Sequence, residues 1–370
     1  MKQISVVVAD SSPFVCRLLK SYLESAPDIR VIGSAHQGHQ LVEMVETTCP
    51  DVVTLGLEMP DMNGLEALKA TQQIRFTPAI IISGANMHAA AMTLEALNHG
   101  AVDFVFKFTP GTIVDPEDLR REIINKVRIA SHTNPPVTGV GWQTAESAVK
   151  PGTNSKLKKL LYGLGATSTS AVDVGLGVVP APVLPPEKII VIGASTGGPV
   201  ALQQLLCHLP ADFASSILVV QHLPATFTAV LAEQLQRQLP LQVKEAEAGD
   251  RLQRASVLIT PGGTNIQITA DGCVQFCETA EGESDVPSIN VTMQSVAAVY
   301  GTEARGILLT GMGQDGVEGL TEIRRHGGVT FAQSLETCTV KGMPQRAIEA
   351  GVVDHVAPPQ QIAQLLLSGM

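Results

Sequence analysis

Short β-branched runs alternate with helical periodicity along most of this chain. In the first third, apolar runs fall at Ile4–Ala9, Val31–Ala35, Val52–Leu57, Ala79–Ile82 and Phe104–Phe106. Between and after them, a 3.6-residue pattern predicts helices over Phe14–Ser25, His39–Thr48, Leu65–Arg75, Ala90–His99 and Glu117–Ala130. Strands and helices in strict alternation imply a parallel sheet covered on both faces. The rhythm fails between His132 and Glu187, where Pro135-Pro136, Pro151, Pro180, Pro182 and Pro185-Pro186 sit among Gly, Ser and Thr. That composition reads as a linker, and Lys156–Leu161 within it as a solvated piece of the same linker. From Lys188 the alternation resumes. Strands are predicted at Ile189–Ile192, Ser216–Gln221, Val257–Thr260, Gly306–Thr310 and Gly328–Ala332. Helices are predicted over Val200–His208, Thr228–Gln238, Ile289–Tyr300, Val317–His326 and Pro344–Glu349. Ile266–Phe276, alternating around Asp271-Gly272, predicts a hairpin inserted in the second sheet. The expected fold is α/β: two doubly wound parallel-sheet domains over 1–131 and 187–370, joined by a flexible linker over 132–186.

Composition narrows the function classes. A net charge of −10 argues against a nucleic-acid or anionic-membrane partner, which would call for a basic face. Met1-Lys2-Gln3 runs straight into a strand, and no stretch approaches the roughly 20 apolar residues that span a bilayer. A soluble, cytoplasmic protein without membrane insertion is expected. The six cysteines are Cys16, Cys49, Cys207, Cys273, Cys277 and Cys338. Cys273 and Cys277 fall on one side of a short strand, but no second pair or histidine couple completes a zinc set. All six are expected to be reduced thiols, with neither metal nor cofactor.

Candidate chemistry begins at Ser195. It ends the run Ile189-Ile190-Val191-Ile192-Gly193-Ala194, and Gly197-Gly198-Pro199 then opens a helix. A hydroxyl at such a strand-to-helix turn stands exposed at a sheet edge, near the positive end of a helix. Gly193 and Gly197 complete a Gly-x-Ser-x-Gly pattern, although serines beside glycines also serve turns for purely structural reasons. A nucleophilic serine needs a base, and the base an orienting acid. Parallel sheets place ligands beyond the carboxyl ends of their strands. His222 directly follows the strand ending at Gln221, and Asp315 follows the strand ending at Thr310 through Gly311-Met312-Gly313-Gln314. Ser195, His222 and Asp315 are therefore expected on one sheet edge. His208 and His326 lie late in helices, His355 precedes Pro358-Pro359, and Asp250 and Asp271 read as turn aspartates.

Two other motifs compete. Gly311-Met312-Gly313-Gln314-Asp315-Gly316 matches a dinucleotide fingerprint, with Glu336 further on. Asp315 would then point a carboxylate at a pyrophosphate, which repels it. Gly193–Gly198 lacks the Gly-Lys-Ser/Thr ending of a P-loop. Histidine comes last in α/β-hydrolases, whereas here it precedes the acid, which disfavours that fold.

Together, Ile192-Gly193-Ala194-Ser195-Thr196-Gly197-Gly198-Pro199, Gln221-His222-Leu223-Pro224 and Leu309-Thr310-Gly311-Met312-Gly313-Gln314-Asp315-Gly316 resemble the chemotaxis protein-glutamate methylesterase/protein-glutamine glutaminase family. Pro287-Ser288-Ile289 and Gly342-Met343-Pro344 add to the likeness. The resemblance covers nearly the whole chain. It implies a receiver-like (βα)5 domain followed by a Rossmann-like catalytic domain. It also implies hydrolysis of glutamyl methyl esters on chemoreceptors, deamidation of selected receptor glutamines, and a chemotaxis histidine kinase as a further partner. By matching motif, Ser195 would be the nucleophile, His222 the base and Asp315 its orienter. The backbone N–H of Met312, with Thr196 nearby, would stabilise the oxyanion. The family's Pro-Gly-Asp-x-His-Met appears as Pro261-Gly262-Gly263-Thr264-Asn265-Ile266, and its aspartate after Pro-Ser-x is Asn290. Two carboxylates and an imidazole are thus missing from the expected cleft, and an altered substrate fit is expected.

The first half resembles a receiver with a degenerate pocket. Asp10, Ser83 and Lys107 match the metal-binding acid, the switch hydroxyl and the phosphate-facing lysine. Gly56 stands where receivers carry the phosphorylated aspartate. Glycine has no side chain to attack a phosphoryl donor. Ala9 replaces one of the usual acidic pair, which weakens any Mg²⁺ site. Phe108 replaces the proline after the lysine, and Glu58 lies two residues from the acceptor position. The expectation is a receptor methylesterase not controlled by phosphorylation of its own receiver, with a docking module or a fixed lid in that role. Against it stand a signalling pseudoenzyme or docking protein, and a dinucleotide-dependent enzyme.

Overall fold

Strands β1 (Ile4–Ala9), β2 (Ile29–Ala35), β3 (Val52–Gly56), β4 (Ala79–Ser83) and β5 (Ala101–Phe106) form a parallel sheet in the order β2-β1-β3-β4-β5. The structure is a computed structural model that describes residues 3–107, 115–133, 185–278 and 285–369. Every residue of β3 and β4 is buried, as expected of strands covered on both faces. The cover comes from α1 (Pro13–Glu24), α2 (Gly38–Thr48), α3 (Gly64–Ile74), α4 (Met87–Asn98) and α5 (Pro116–Ala130). Their starts carry chemical signals. Ser12, Asn63, Asn86 and Asp115 each cap the helix that follows, and Asn63 with Glu66 forms a full capping box.

The second sheet follows from β6 (Ile189–Ala194), β7 (Ser216–Gln221), β8 (Gln242–Glu245) and β9 (Ser256–Ile259). Next come the antiparallel pair β10 (Asn265–Ile268) and β11 (Val274–Cys277), and then β12 (Ala304–Leu308), β13 (Val329–Gln333) and β14 (His355–Ala357). Seven of these strands lie in the order β14-β13-β12-β6-β7-β9-β8, all parallel. Helices α6 (Gly198–Leu206), α7 (Ala225–Gln238), α8 (Ile289–Tyr300), α9 (Val317–Arg325), α10 (Gly342–Glu349) and α11 (Pro359–Leu367) surround it. Strand order reverses at β6, which has β7 on one side and β12 on the other. Such a reversal opens a crevice at the carboxyl end of the sheet, where doubly wound folds bind ligands.

Three differences from the sequence expectation have simple causes. The Ile266–Phe276 hairpin is a separate two-stranded sheet rather than an insertion, because β10 and β11 pair with each other. Edge strands β8 and β14 were not expected; they are short, and three of the four residues of β8 are polar. Helix α11 was likewise not expected; Pro358 caps it and Pro359 opens it, since proline suits the first helical turn. The Pro-rich stretch over 134–184, with its Lys156–Leu161 segment, and Phe108 lie outside the described residues. Among the described residues, no helix is long and apolar enough to cross a membrane.

The receiver-like sheet meets the second through β5 and α4. Phe104 stacks on Phe227 of α7 with ring centroids 4.6 Å apart, and Phe106 meets the same ring edge-on at 5.3 Å. Phe227 is fully buried between them. Gln234 of α7 also donates to the carbonyl oxygen of Ala91 in α4.

Candidate active site

β6 and β7 run in register with Ala194 opposite Gln221, so Ser195 and His222 stand side by side one residue beyond their strands. The His222 N–H donates to the Ala194 carbonyl at 3.0 Å, and the Ser195 N–H to Thr310 at 3.0 Å. Ser195 is thus held between β7 and the segment following β12. Two residues later Gly197 takes φ 77°, a left-handed turn that glycine accommodates, and α6 begins. Gln221 donates from Nε2 to the Ser195 carbonyl at 2.9 Å and braces that peptide.

Asp315 reaches His222 from the opposite side of the crevice. Its Oδ2 lies 2.9 Å from His222 Nε2, with Asp315 buried and His222 mostly so. The N–H of Ile289 donates to Oδ2 at 2.7 Å, and the N–H of Asn290 to Oδ1 at 3.0 Å. These are orphan donors of the first turn of α8, capped by Ser288, whose hydroxyl also points at Asp315 Oδ1 from 3.4 Å. Burial is the largest influence on this carboxyl and opposes its charge. The His222 bond and the two helix N–H groups together outweigh burial, so the carboxyl is held below its usual range. An ionised carboxylate can only accept, so Nε2 carries the proton and Nδ1 keeps its lone pair. Among the described residues, Ser195 Oγ makes no hydrogen bond to the imidazole. Nucleophile–base contacts are often open in free enzymes and close when substrate arrives.

The predicted oxyanion donors divide. The N–H of Met312 has no acceptor among the described residues, and Met312 lies half-exposed on the loop after β12, as a waiting donor should. The Thr196 N–H is likewise without an acceptor among the described residues, in the position following the nucleophile that often supplies such a donor. The Thr196 hydroxyl is already engaged. It donates to Asp103 Oδ2 on β5 at 2.6 Å. Lys126 of α5 lies 3.4 Å from the other Asp103 oxygen and packs over the Phe104 ring. Burial pulls the Lys126 pKa down, yet Asp103 and Glu122 prevail and raise it, so it stays cationic.

Asp10, Gly56, Ser83 and Lys107 lie at the carboxyl ends of β1, β3, β4 and β5. Lys107 Nζ lies 2.5 Å from Asp10 Oδ2 beside Gly56, and Ser83 bonds Thr93 at 2.7 Å. A Cβ at Gly56 would collide with Asp10 Oδ2 and come within 3.4 Å of Lys107 Nζ. The competing histidines fall elsewhere: His208 lies past the end of α6, His326 caps α9 and His355 lies in β14.

Several contributors escaped the sequence reading. Gln221 was visible only as the neighbour of His222. Asn265 and Asn290 had been read as gaps in a substrate cleft. The structure places them instead behind Asp315. Asn265 Oδ1 accepts from the Ser288 N–H at 2.7 Å, and Asn290 Oδ1 accepts from Gly316 at 2.9 Å and Gly319 at 2.8 Å. Gly263, the third altered position, has open space around it and takes φ 75° in a turn.

Residues 190–366 match the CheB methylesterase family model, and residues 6–121 the response regulator receiver domain. A protein-glutamate methylesterase/protein-glutamine glutaminase of Caldanaerobacter subterraneus is 39% identical over 374 residues, covering 99% of this chain and 96% of that protein. One of the same name from Symbiobacterium thermophilum is 36% identical, covering 99% and 96%. The crystal structure of the Thermotoga maritima CheB methylesterase catalytic domain is 38% identical, covering 50% of this chain and 98% of that one, with a TM-score of 0.48.

Proposed function

Because the chain belongs to the CheB methylesterase family, we propose that it hydrolyses methyl esters on glutamate side chains of chemoreceptors and deamidates selected receptor glutamines there. The observation that carries this reading is the His222–Asp315 pair at the end of the strand beside Ser195. His222 Nδ1 takes the Ser195 proton as Oγ attacks the ester carbonyl. The oxyanion gathers at the Met312 and Thr196 N–H groups. The imidazolium returns the proton to the leaving methoxide, and methanol departs from a glutamyl-serine ester. Water, deprotonated by His222, then cleaves that ester, leaving glutamate and the free serine. With a glutamine substrate, ammonia leaves in place of methanol. Residues of this chain supply each proton transfer in the sequence.

Control of the reaction is the second part of the proposal. Gly56 offers no carboxylate, and the Asp10–Lys107 pair closes the space where one would stand. The receiver acts as a fixed lid, holding Thr196 through Asp103, and is not switched by its own phosphorylation. A chemotaxis histidine kinase would dock on it without phosphoryl transfer. The setting is the cytoplasm, where receptor signalling regions lie.

Methanol release from a methylated receptor fragment, compared between wild type and Ser195→Ala, tests the chemistry. Loss in the variant is expected, and equal release from both defeats the hydrolase reading. Intact mass after incubation with acetyl phosphate and Mg²⁺ tests the control. No gain of about 80 Da on residues 1–131 is expected, and such an adduct overturns a phosphorylation-independent lid.

A further inference from the structure

Helices α8 and α9 begin at the same point behind the active site and cap each other. Asp315, just before α9, accepts from the N–H groups of Ile289 and Asn290 in the first turn of α8. Asn290 returns the service: its Oδ1 accepts from the N–H groups of Gly316 and Gly319 at the start of α9. The capping position of α9 is Gly316, at φ 94° and without a side chain, so α9 cannot cap itself. Asn265 on β10 anchors this junction by accepting from the Ser288 N–H, and is itself buried.

We infer that Asn290 is a positioning residue for the reaction, holding the Gly316 peptide against α8 so that Asp315 stays aimed at His222. This inference rests on the proposed esterase chemistry and adds a residue to it. The physical case is geometric. Asp315 contacts the imidazole through one oxygen, and its backbone has no strand ladder at that point. Without an acceptor from Asn290, two buried N–H donors of α9 lose their partner and the loop relaxes toward other acceptors. A shift well under an ångström at Asp315 turns the imidazole away from its working orientation.

The full chain and a receptor fragment bearing γ-glutamyl methyl esters supply the test. Asn290→Ala is expected to lower kcat by about 10–100-fold, the scale seen when an outer-layer partner of a working ligand is removed, with KM within about twofold. Asn290→Asp keeps an acceptor oxygen at a helix N-terminus that favours negative charge, and is expected to recover most of the lost kcat. Ser295→Ala, which removes an acceptor for the Ile268 N–H from the same helix, serves as the comparison for a purely structural loss. The His222 Nε2–H proton resonance should broaden or move in Asn290→Ala and stay in place in Ser295→Ala. A wild-type kcat in Asn290→Ala, a loss confined to KM, or a failure of Asn290→Asp to rescue overturns the inference. The two levels separate cleanly. If Ser195→Ala releases methanol as wild type does, the esterase reading fails; if only Asn290→Ala behaves as wild type, the reading stands and the positioning role falls.

Discussion

Thr196 Oγ1 donates a 2.6 Å hydrogen bond to Asp103 Oδ2, which joins the residue after Ser195 to the last strand of the receiver-like sheet. The carboxylate is braced from behind by Lys126. Two residues of the same strand, Phe104 and Phe106, grip Phe227, which lies just beyond His222 on α7. One strand therefore holds the loop of Ser195 and the helix that follows His222.

Asp103→Ala is accordingly expected to raise basal methanol release. A charge-assisted bond to a carboxylate contributes roughly 1.5–3 kcal/mol, so an increase of about tenfold is in scale. Lys126 keeps Glu122 at 2.9 Å, so the variant does not strand a buried cation. Unchanged or lower activity in a folded Asp103→Ala chain would show that Asp103 does not restrain the site.

Asp315→Asn should remove about 10³–10⁴-fold of kcat, because an amide cannot fix the imidazole tautomer as a carboxylate does. A variant within tenfold of wild type would remove Asp315 from the mechanism.

The pH dependence of stability follows from the same carboxyl. Its folded pKa lies below the ordinary 3.8, so its charge contributes stability that is fully present above that value. That contribution is lost as pH falls through the depressed folded value. Urea unfolding across pH should therefore show a wild-type advantage over Asp315→Asn that is constant at neutral pH and shrinks only on acidification below the carboxylate range. An advantage that shrinks on moving from neutral to alkaline pH would contradict this assignment.

Gly311→Ala is expected to damage the site directly. A Cβ there would stand 2.7 Å from Ser195 Cβ and closer still to Met343 Sδ. Both neighbours are held, Ser195 by its N–H bond to the Thr310 carbonyl and Met343 in a fully buried position, so Ser195 must shift. A loss of about hundredfold in kcat suits a displacement near 1 Å. Methanol release at the wild-type rate would show that the loop absorbs the methyl group instead.

Asn290 illustrates what a linear reading misses. It was legible as a departure from a pattern, and its placement suggested a changed substrate cleft. Its partners are Gly316 and Gly319, 26 and 29 residues along the chain, and the bonds form only when α8 and α9 share a starting point. No local preference of an asparagine predicts that. Edge strand β14 was missed for a related reason. Three residues carry almost no periodic signal, and β13 supplies the ladder that makes them a strand.

Local physics determined the rest from sequence: β-branched runs flanked by glycine gave the strands, helical periodicity gave their cover, and parallel topology sent Ser195, His222 and Asp315 to one sheet edge. Tertiary structure decided which atoms meet. It set Nε2 rather than Nδ1 of His222 toward Asp315, bound the Thr196 hydroxyl to Asp103 across 93 residues of sequence, and turned Asn290 into a cap for a helix other than its own. The division has a physical basis. Strand and helix formation depend on neighbours a few residues apart, whereas a hydrogen bond depends on tenths of an ångström set by how finished elements pack.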